Sequence, residues 1–304
     1  MNLLGSIVGI SGGNGGLGLA LVKILVNICE EVVVVDSSDM CQELSELPNV
    51  SYVRCDLLKE RPQPFTVDVF IANVGMSMGP KLVKDAEFKE MCEMIALNIS
   101  SHLWFFKNVK HKKFVFIDSV LAFNGMEYYS MYCACKSFIH TFNEGLQREG
   151  HDTLIVYPYK INTDMFKEIK DYGTLDVNNV AESVVDAIKT DKKSLFLPRV
   201  FTLTETIKGA LPSFVKNWVL DRISKYFLSE VLEGAAIATE EKERAPITTE
   251  EKEKAPIATE EKEKAPITTE EKKKAPITTE EKEKAPITTE EKEKAPTCAI
   301  KEFD

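Results

Sequence analysis

Between Asp118 and Lys136 the chain carries a serine at the end of an apolar run, a tyrosine thirteen residues on, and a lysine four residues after that: Ser119, Tyr132 and Lys136. On a helix, positions i and i+4 share a face, so Tyr132 and Lys136 can project into one cavity. With Ser119 at the end of a neighbouring strand, a hydroxyl, a phenol and an ammonium converge, a set able to move a proton to or from a carbonyl oxygen. A free tyrosine titrates at about 10, so proton exchange near neutral pH asks for a shift of about 2–3 units, or roughly 3–4 kcal/mol. One ammonium about 4 Å away supplies on the order of 4 kcal/mol at an effective dielectric near 20. Lys136 is sufficient in magnitude; the rest is geometry.

Two elements must hold this set. Phe114-Val115-Phe116-Ile117 reads as the strand that delivers Ser119, and residues 128–150 read as the helix of Tyr132 and Lys136, ending at Gly150. A second chemistry stands at the start of the chain. A buried strand over Leu3 to Ile10 runs into Ser11-Gly12-Gly13-Asn14-Gly15-Gly16-Leu17-Gly18, then a helical pattern (Leu19, Leu21, Val22, Leu25, Val26), then Val32 to Val35 ending on Asp36. Strand, glycine-rich turn, helix, strand and acid form the order of a dinucleotide site. Around Gly12, Asn14, Gly16, Leu17 and Gly18 the backbone can approach a pyrophosphate at a helix N-terminus. Asp36 can accept hydrogen bonds from both ribose hydroxyls. The sequence puts no arginine in the turn or beside Asp36 to meet a 2′-phosphate, which favours NAD and leaves NADP open. This alternation predicts an α/β protein with a doubly wound parallel sheet, the Rossmann fold.

The spacing Gly12…Gly16-x-Gly18, with Ser119 and Tyr132-x-x-x-Lys136, resembles the short-chain dehydrogenase/reductase family, with Ser11 where that family usually has Thr. The resemblance implies hydride transfer with a nicotinamide cofactor. Tyr132 would exchange the proton, Ser119 steady the oxygen and Lys136 tune Tyr132. Asn98 matches the family's helix asparagine, which kinks the helix and holds a water in a proton relay. Asp56 matches the position that holds the adenine amino group, with a helix N-cap as the alternative. Asn73-Val74-Gly75 resembles the family's Asn-Ala-Gly turn, so Asn73 and Gly75 are expected to line the cofactor. Ile161 (by its backbone) and Thr163 (by its hydroxyl) match the residues that hold the carboxamide. Two residues depart from the pattern: Cys135 stands where Ser is common, and Tyr159 stands where Gly is usual, narrowing the pocket or reshaping the turn. Asp164 to Asp176 would be the substrate lid. The link between Asn98 and the following strand is shorter than usual. That trims a helix end or loosens a dimer surface, since this helix commonly pairs subunits in a homodimer. His102 and Trp104 read as packing.

Residues 192–227 are similar to the C-terminal extension of the retinol dehydrogenase and 17-beta-hydroxysteroid dehydrogenase branch, which implies a small hydrophobic, lipid-like alcohol or carbonyl as substrate. Residues 200–232 are amphipathic and could lie on a membrane or lipid droplet surface, cover the substrate mouth, or pack on a partner subunit. Two other readings stay open: a carbonyl reductase of the 3-ketosphinganine type using NADPH, and a catalytically silent dinucleotide-binding scaffold.

The 304 residues divide by composition into a catalytic domain over 1–200, an amphipathic extension over 201–234 and a tail over 235–304. In the tail, Ala-Pro-Ile-Thr-Thr-Glu-Glu-Lys-Glu-Lys repeats from Ala245, with one Pro and one large aliphatic per unit and no aromatic. Such a unit cannot offset the roughly 1–2 kcal/mol per residue of backbone ordering, so the tail is expected to be disordered. Seven cysteines without a C-x-x-C pair and four scattered histidines give no metal or disulfide framework. The net charge of −10 is unevenly placed, so the whole-chain value is not a property of the catalytic domain; no nucleic-acid partner is expected. Neither a signal-peptide pattern nor an apolar run of roughly 18 residues is present, so a cytoplasmic protein is expected, with the endoplasmic reticulum or lipid droplet surface open to residues 200–232.

Overall fold

The runs IVGIS, VFIA, KFVFI and TLIVYP are apolar on both strand faces, the pattern of a parallel sheet covered on both sides. The computed structural model describes residues 1–166 and 173–202, with a few positions between 212 and 222. Its strands are β1 (Ile7–Ser11), β2 (Glu31–Asp36), β3 (Val50–Arg54), β4 (Val69–Ala72), β5 (Lys113–Ile117), β6 (Thr153–Pro158) and β7 (Ser194–Leu197). They pair in parallel in the order 3-2-1-4-5-6-7. The helices are α1 (Gly16–Leu25), α2 (Gln42–Ser45), α3 (Phe88–Ile95), α4 (Ser101–Asn108), α5 (Ser130–Arg148) and α6 (Val177–Lys189). The expected doubly wound sheet is therefore the fold. Its order reverses between β1 and β4, and the crevice outside the carboxyl ends of strands at such a switch point is where ligands bind.

Strand periodicity splits the core in two. Val8, Ile10, Val69, Ile71, Val115 and Val156 face α1 and α6, packing on Leu21, Val22, Val184 and Ile188. Phe70, Phe114, Phe116, Ile155 and Tyr157 face Phe105 of α4 and Ile139 and Leu146 of α5. Phe70 stacks on Phe105 and Phe114 with ring centroids 4.6 and 5.3 Å apart. Between β3 and β4, residues 55–68 cross without a helix. Pro62 and Pro64 oppose one, and Cys55, Leu57, Phe65 and Val67 cover the sheet from coil instead.

Helices α3 and α4 are joined by a turn of π-helix, Ala96–Ser100, which contains Asn98. The catalytic-type helix begins at Ser130, two residues later than its pattern suggests, and its C-terminal Gly150 has φ +87°. Lys113 opens β5 fully buried, its ammonium 2.6 Å from Asp152 and 2.7 Å from Asp191, at the end of the sheet away from the crevice. The lid begins as a 3-10 turn over Asp164–Phe166; residues 167–172 lie outside the described residues. Most of the amphipathic stretch 200–232 and all of the repeat tail also fall outside them. The chain divides into two units, Met1–Pro246 and Ile247–Asp304, and every element described above belongs to the first.

Candidate active site

A cavity of about 640 Å³ opens at the carboxyl ends of the strands. On one side it is lined by Gly12, Asn14, Gly16, Leu17, Asp36, Asn73 and Gly75; on the other by Asn98, Ser119, Tyr132, Lys136, Ile161 and Thr163. Sequence reasoning had placed these residues in one site, and the structure brings them together. Gly18 and Asp56 are not among the lining residues. A Cβ on Gly18 would fall 1.9 Å from the Gly12 carbonyl oxygen, so this glycine lets α1 sit on the turn. Asp56 accepts from Leu58 N–H and pairs with Lys59 at 2.8 Å, closing its own turn.

The glycine turn is braced from β4. The Ser11 hydroxyl accepts from the N–H groups of Asn73 and Val74, both at 3.2 Å, and the Asn73 amide donates to the Gly12 carbonyl at 2.8 Å. Gly12 has φ +70°, and a Cβ there would touch the Val74 backbone. No side chain caps the N-terminus of α1, which leaves its orphan N–H groups and dipole facing the cavity. Asp36 accepts from Asn14 N–H, Ser38 N–H and Ser38 Oγ at 3.1, 3.2 and 2.8 Å. The strand register sets Arg54 beside Asp36, correcting the expectation that no arginine stands there. Its guanidinium pairs with Asp39 at 2.9 Å and donates to the Ser37 carbonyl at 3.4 Å. The uncapped helix end, the close glycine turn and the acid at the end of β2 fit a dinucleotide.

On the opposite wall, Ser119 caps the 3-10 turn Val120–Phe123, accepting from Leu121 N–H, and hydrogen-bonds Tyr132. Lys136 donates to the Ile117 carbonyl at 2.9 Å, and its ammonium lies 5.7 Å from the centre of the Tyr132 ring. Burial pushes the Tyr132 phenol up, Asp118 adds to the rise, and the Ser119 hydrogen bond opposes it. The lowered phenol that the sequence arithmetic asks of Lys136 is thus not present in the chain alone. Burial also lowers the Lys136 ammonium, against the opposing pull of Asp118.

Asn98 is fully buried, and its side chain clamps one backbone residue from both sides. Met76 N–H donates to Oδ1 at 3.0 Å, and Nδ2 donates to the Met76 carbonyl at 2.9 Å. A Cβ on Gly75 would stand 2.8 Å from that Oδ1, so the turn needs a glycine to admit the clamp. His102 donates from Nε2 to the Val74 carbonyl at 2.9 Å, and burial pulls its pKa down to about 3. It is a packed, neutral histidine, as expected. Tyr159 stacks on Phe201 with centroids 5.5 Å apart, and both line the cavity. Thr163 packs against Gly16, so the exit of β6 closes over the glycine turn. Three features escaped the sequence reading: the buried acid Asp118, Arg54 and the Tyr159–Phe201 stack. The unusual Tyr159 was the one signal that pointed to any of them.

The fold is that of a nucleotide-binding α/β protein. The family model for short chain dehydrogenase matches residues 6–173, and the chain belongs to that family. Its relatives include an uncharacterised oxidoreductase, DltE, of Bacillus subtilis, 24% identical over 69% of this chain and 94% of that protein. Epidermal retinol dehydrogenase 2 of Homo sapiens is 25% identical over 69% of this chain and 80% of its own length. Human 17-beta-hydroxysteroid dehydrogenase 13 is 25% identical over 48% of this chain and 54% of its own. A short chain dehydrogenase from Burkholderia cenocepacia, solved in complex with NADP, superposes with a TM-score of 0.59 at 17% identity, covering 72% of this chain and 99% of that one. The protein is an oxidoreductase acting on alcohol or carbonyl groups with a nicotinamide dinucleotide. Among the described residues no helix is long and apolar enough to cross a membrane, and no group of acidic, His and Cys side chains could hold a metal.

Proposed function

We propose that the chain interconverts a lipid-like alcohol and its carbonyl, with Ser119, Tyr132 and Lys136 as the reacting wall. The observation that carries this is their convergence in one cavity with the glycine turn of α1. The dinucleotide, held by Gly12, Asn14, Gly16, Leu17, Asn73, Ile161 and Thr163, supplies the hydride acceptor or donor. The chain does the proton work. Tyr132 takes the hydroxyl proton as an alcohol is oxidised and returns it on reduction, Ser119 holds the substrate oxygen, and Lys136 favours the phenolate. Asn98 holds the turn that lines the cavity and feeds a proton relay through its helix. Val120, Leu121, Met126, Tyr129, Met165 and Phe201 give the substrate side an apolar wall, which suits a retinoid, steroid or long-chain substrate, as do the retinol and hydroxysteroid dehydrogenases among the relatives.

For the cofactor we favour NAD, because the Asp36 carboxylate stands where a 2′-phosphate would meet it. NADP has one specific observation in its support: Arg54 beside Ser37, within reach of the same corner. Binding titrations of both cofactors with wild type, Asp36→Ala and Arg54→Ala decide between them. NAD binds tighter to wild type on this reading and Asp36→Ala narrows the gap; tighter NADP binding by wild type, lost in Arg54→Ala, reverses it. A turnover screen of retinol, hydroxysteroids and 3-ketosphinganine-like substrates with both cofactors tests the substrate class.

A further inference from the structure

Asp118 follows β5 directly, between Ile117, whose carbonyl holds Lys136, and Ser119, which meets Tyr132. Its backbone is fixed by an N–H bond to the Val156 carbonyl of β6 at 2.8 Å. The residue is 3% exposed, yet lines the cavity. Neither carboxyl oxygen makes a well-formed hydrogen bond, the neighbouring Ser119 N–H being its one weak donor, and the side chain forms no ion pair within 4.0 Å among the described residues. A carboxylate buried almost without donors is strongly disfavoured against the neutral acid. The groups around it are few. Lys136 and Tyr132 face it from α5, while Cys135 of α5 acts on Lys136, and Lys136 in turn helps keep His102 of α4 neutral.

We propose that Asp118 is a positioning residue for proton transfer: a carboxylic acid kept uncharged in the cavity wall, so that the Lys136 ammonium acts on Tyr132 unopposed. The proposal rests on the assignment of Tyr132 above. Burial pushes the Asp118 carboxyl well above the ordinary range, with the Lys136 charge and the Ser119 N–H pulling the other way. Once ionised, its proton given up to solvent, Asp118 offsets Lys136 and makes Tyr132 harder to deprotonate. Alcohol oxidation therefore weakens at alkaline pH in the native protein. Asp118→Asn keeps the shape and removes that titration.

The first test needs no turnover. Infrared spectra of the full chain near neutral pH should show a carboxylic-acid carbonyl band that fades as pH rises and is missing in Asp118→Asn. A native protein without that band near neutral pH overturns the proposal, whatever the enzyme does. The second test compares kcat for alcohol oxidation across pH. The ratio of the rate at high pH to that at pH 7 should rise at least about fivefold in Asp118→Asn, a limb displaced by roughly one pH unit. An unchanged ratio refutes the idea, as does a more than tenfold loss at pH 7, which would make Asp118 the counter-ion that keeps Lys136 charged. If Asp118→Asn does not fold, Asp118→Ser carries the same comparisons. Turnover surviving Tyr132→Phe would sink the underlying reading while leaving the infrared result standing.

Discussion

Replacing Asn98 separates a structural clamp from a bystander. Its two hydrogen bonds, at 3.0 and 2.9 Å, both go to the backbone of Met76. Each contributes a net of about 0.5–1.5 kcal/mol. Asn98→Ala should therefore cost about 1–3 kcal/mol, and not more, because Met76 is half-buried and water can reach part of what is exposed. For a folded unit of about two hundred residues that lowers Tm by roughly 2–12 °C. Asn98→Asp sharpens the test. The introduced carboxyl can still accept from Met76 N–H, but its second oxygen meets the Met76 carbonyl unless protonated, so its folded pKa rises above the unfolded value of about 4. A raised folded pKa gives stability that is present below the unfolded pKa and is lost as pH rises through the folded one. The gap to wild type should widen from pH 4 to pH 7. Thermal unfolding at several pH values, with and without cofactor, measures both effects, and cofactor affinity should fall severalfold as the 73–76 turn loosens. A loss below about 0.5 kcal/mol for Asn98→Ala, or a gap for Asn98→Asp that ignores pH, refutes the clamp.

Two further outcomes follow from the same geometry. Gly18→Ala gains helix propensity of up to about 1 kcal/mol, but its Cβ meets the backbone oxygen of Gly12 at 1.9 Å. Overpacking of about 1–3 kcal/mol wins, so equilibrium unfolding should show net destabilisation with weakened dinucleotide binding; a stabilised protein would show that α1 can lift off the turn freely. At the other end of the sheet, burial pushes Asp152 up but hydrogen bonds from Lys113 and Lys193 outweigh it, and the Lys113 hydrogen bond holds Asp191 down. Depressed folded pKa values give stability that is present above the unfolded pKa and lost as pH falls through the folded one, so wild type should weaken below about pH 4. Lys113→Met should flatten that acid dependence in denaturant titrations, and an equally steep loss would deny the pairing any role.

What could be read from the letters was local. Tyr132 and Lys136 share a helix face by spacing alone, Ser119 follows an apolar run, and the glycine turn sits between a strand and a helix. The alternation of strands and helices around that turn also implied the parallel sheet. What could not be read depends on neighbours distant in sequence. Arg54 stands opposite Asp36 only through the β2–β3 register, and Lys113 is buried because Asp152 and Asp191 arrive from other loops. Asp118 looked like one more polar residue at a strand end, and its lack of strong partners emerges only once α5 closes over it. The Asn98 clamp needs a glycine turn from the far side of the helix. Gly18 shows the converse: its spacing was legible, but the close contact it permits is with the Gly12 carbonyl of its own turn.

The central claim is that Tyr132 exchanges the substrate proton. The most direct measurement is kcat and dinucleotide affinity of purified Tyr132→Phe, with an alcohol that the wild type turns over. Loss of the phenol should lower kcat by about 10²–10⁴-fold while the dinucleotide dissociation constant stays within about threefold, since the ring remains and the glycine turn is untouched. Turnover within tenfold of wild type would contradict the account, as would a collapse of dinucleotide binding large enough to explain the lost rate.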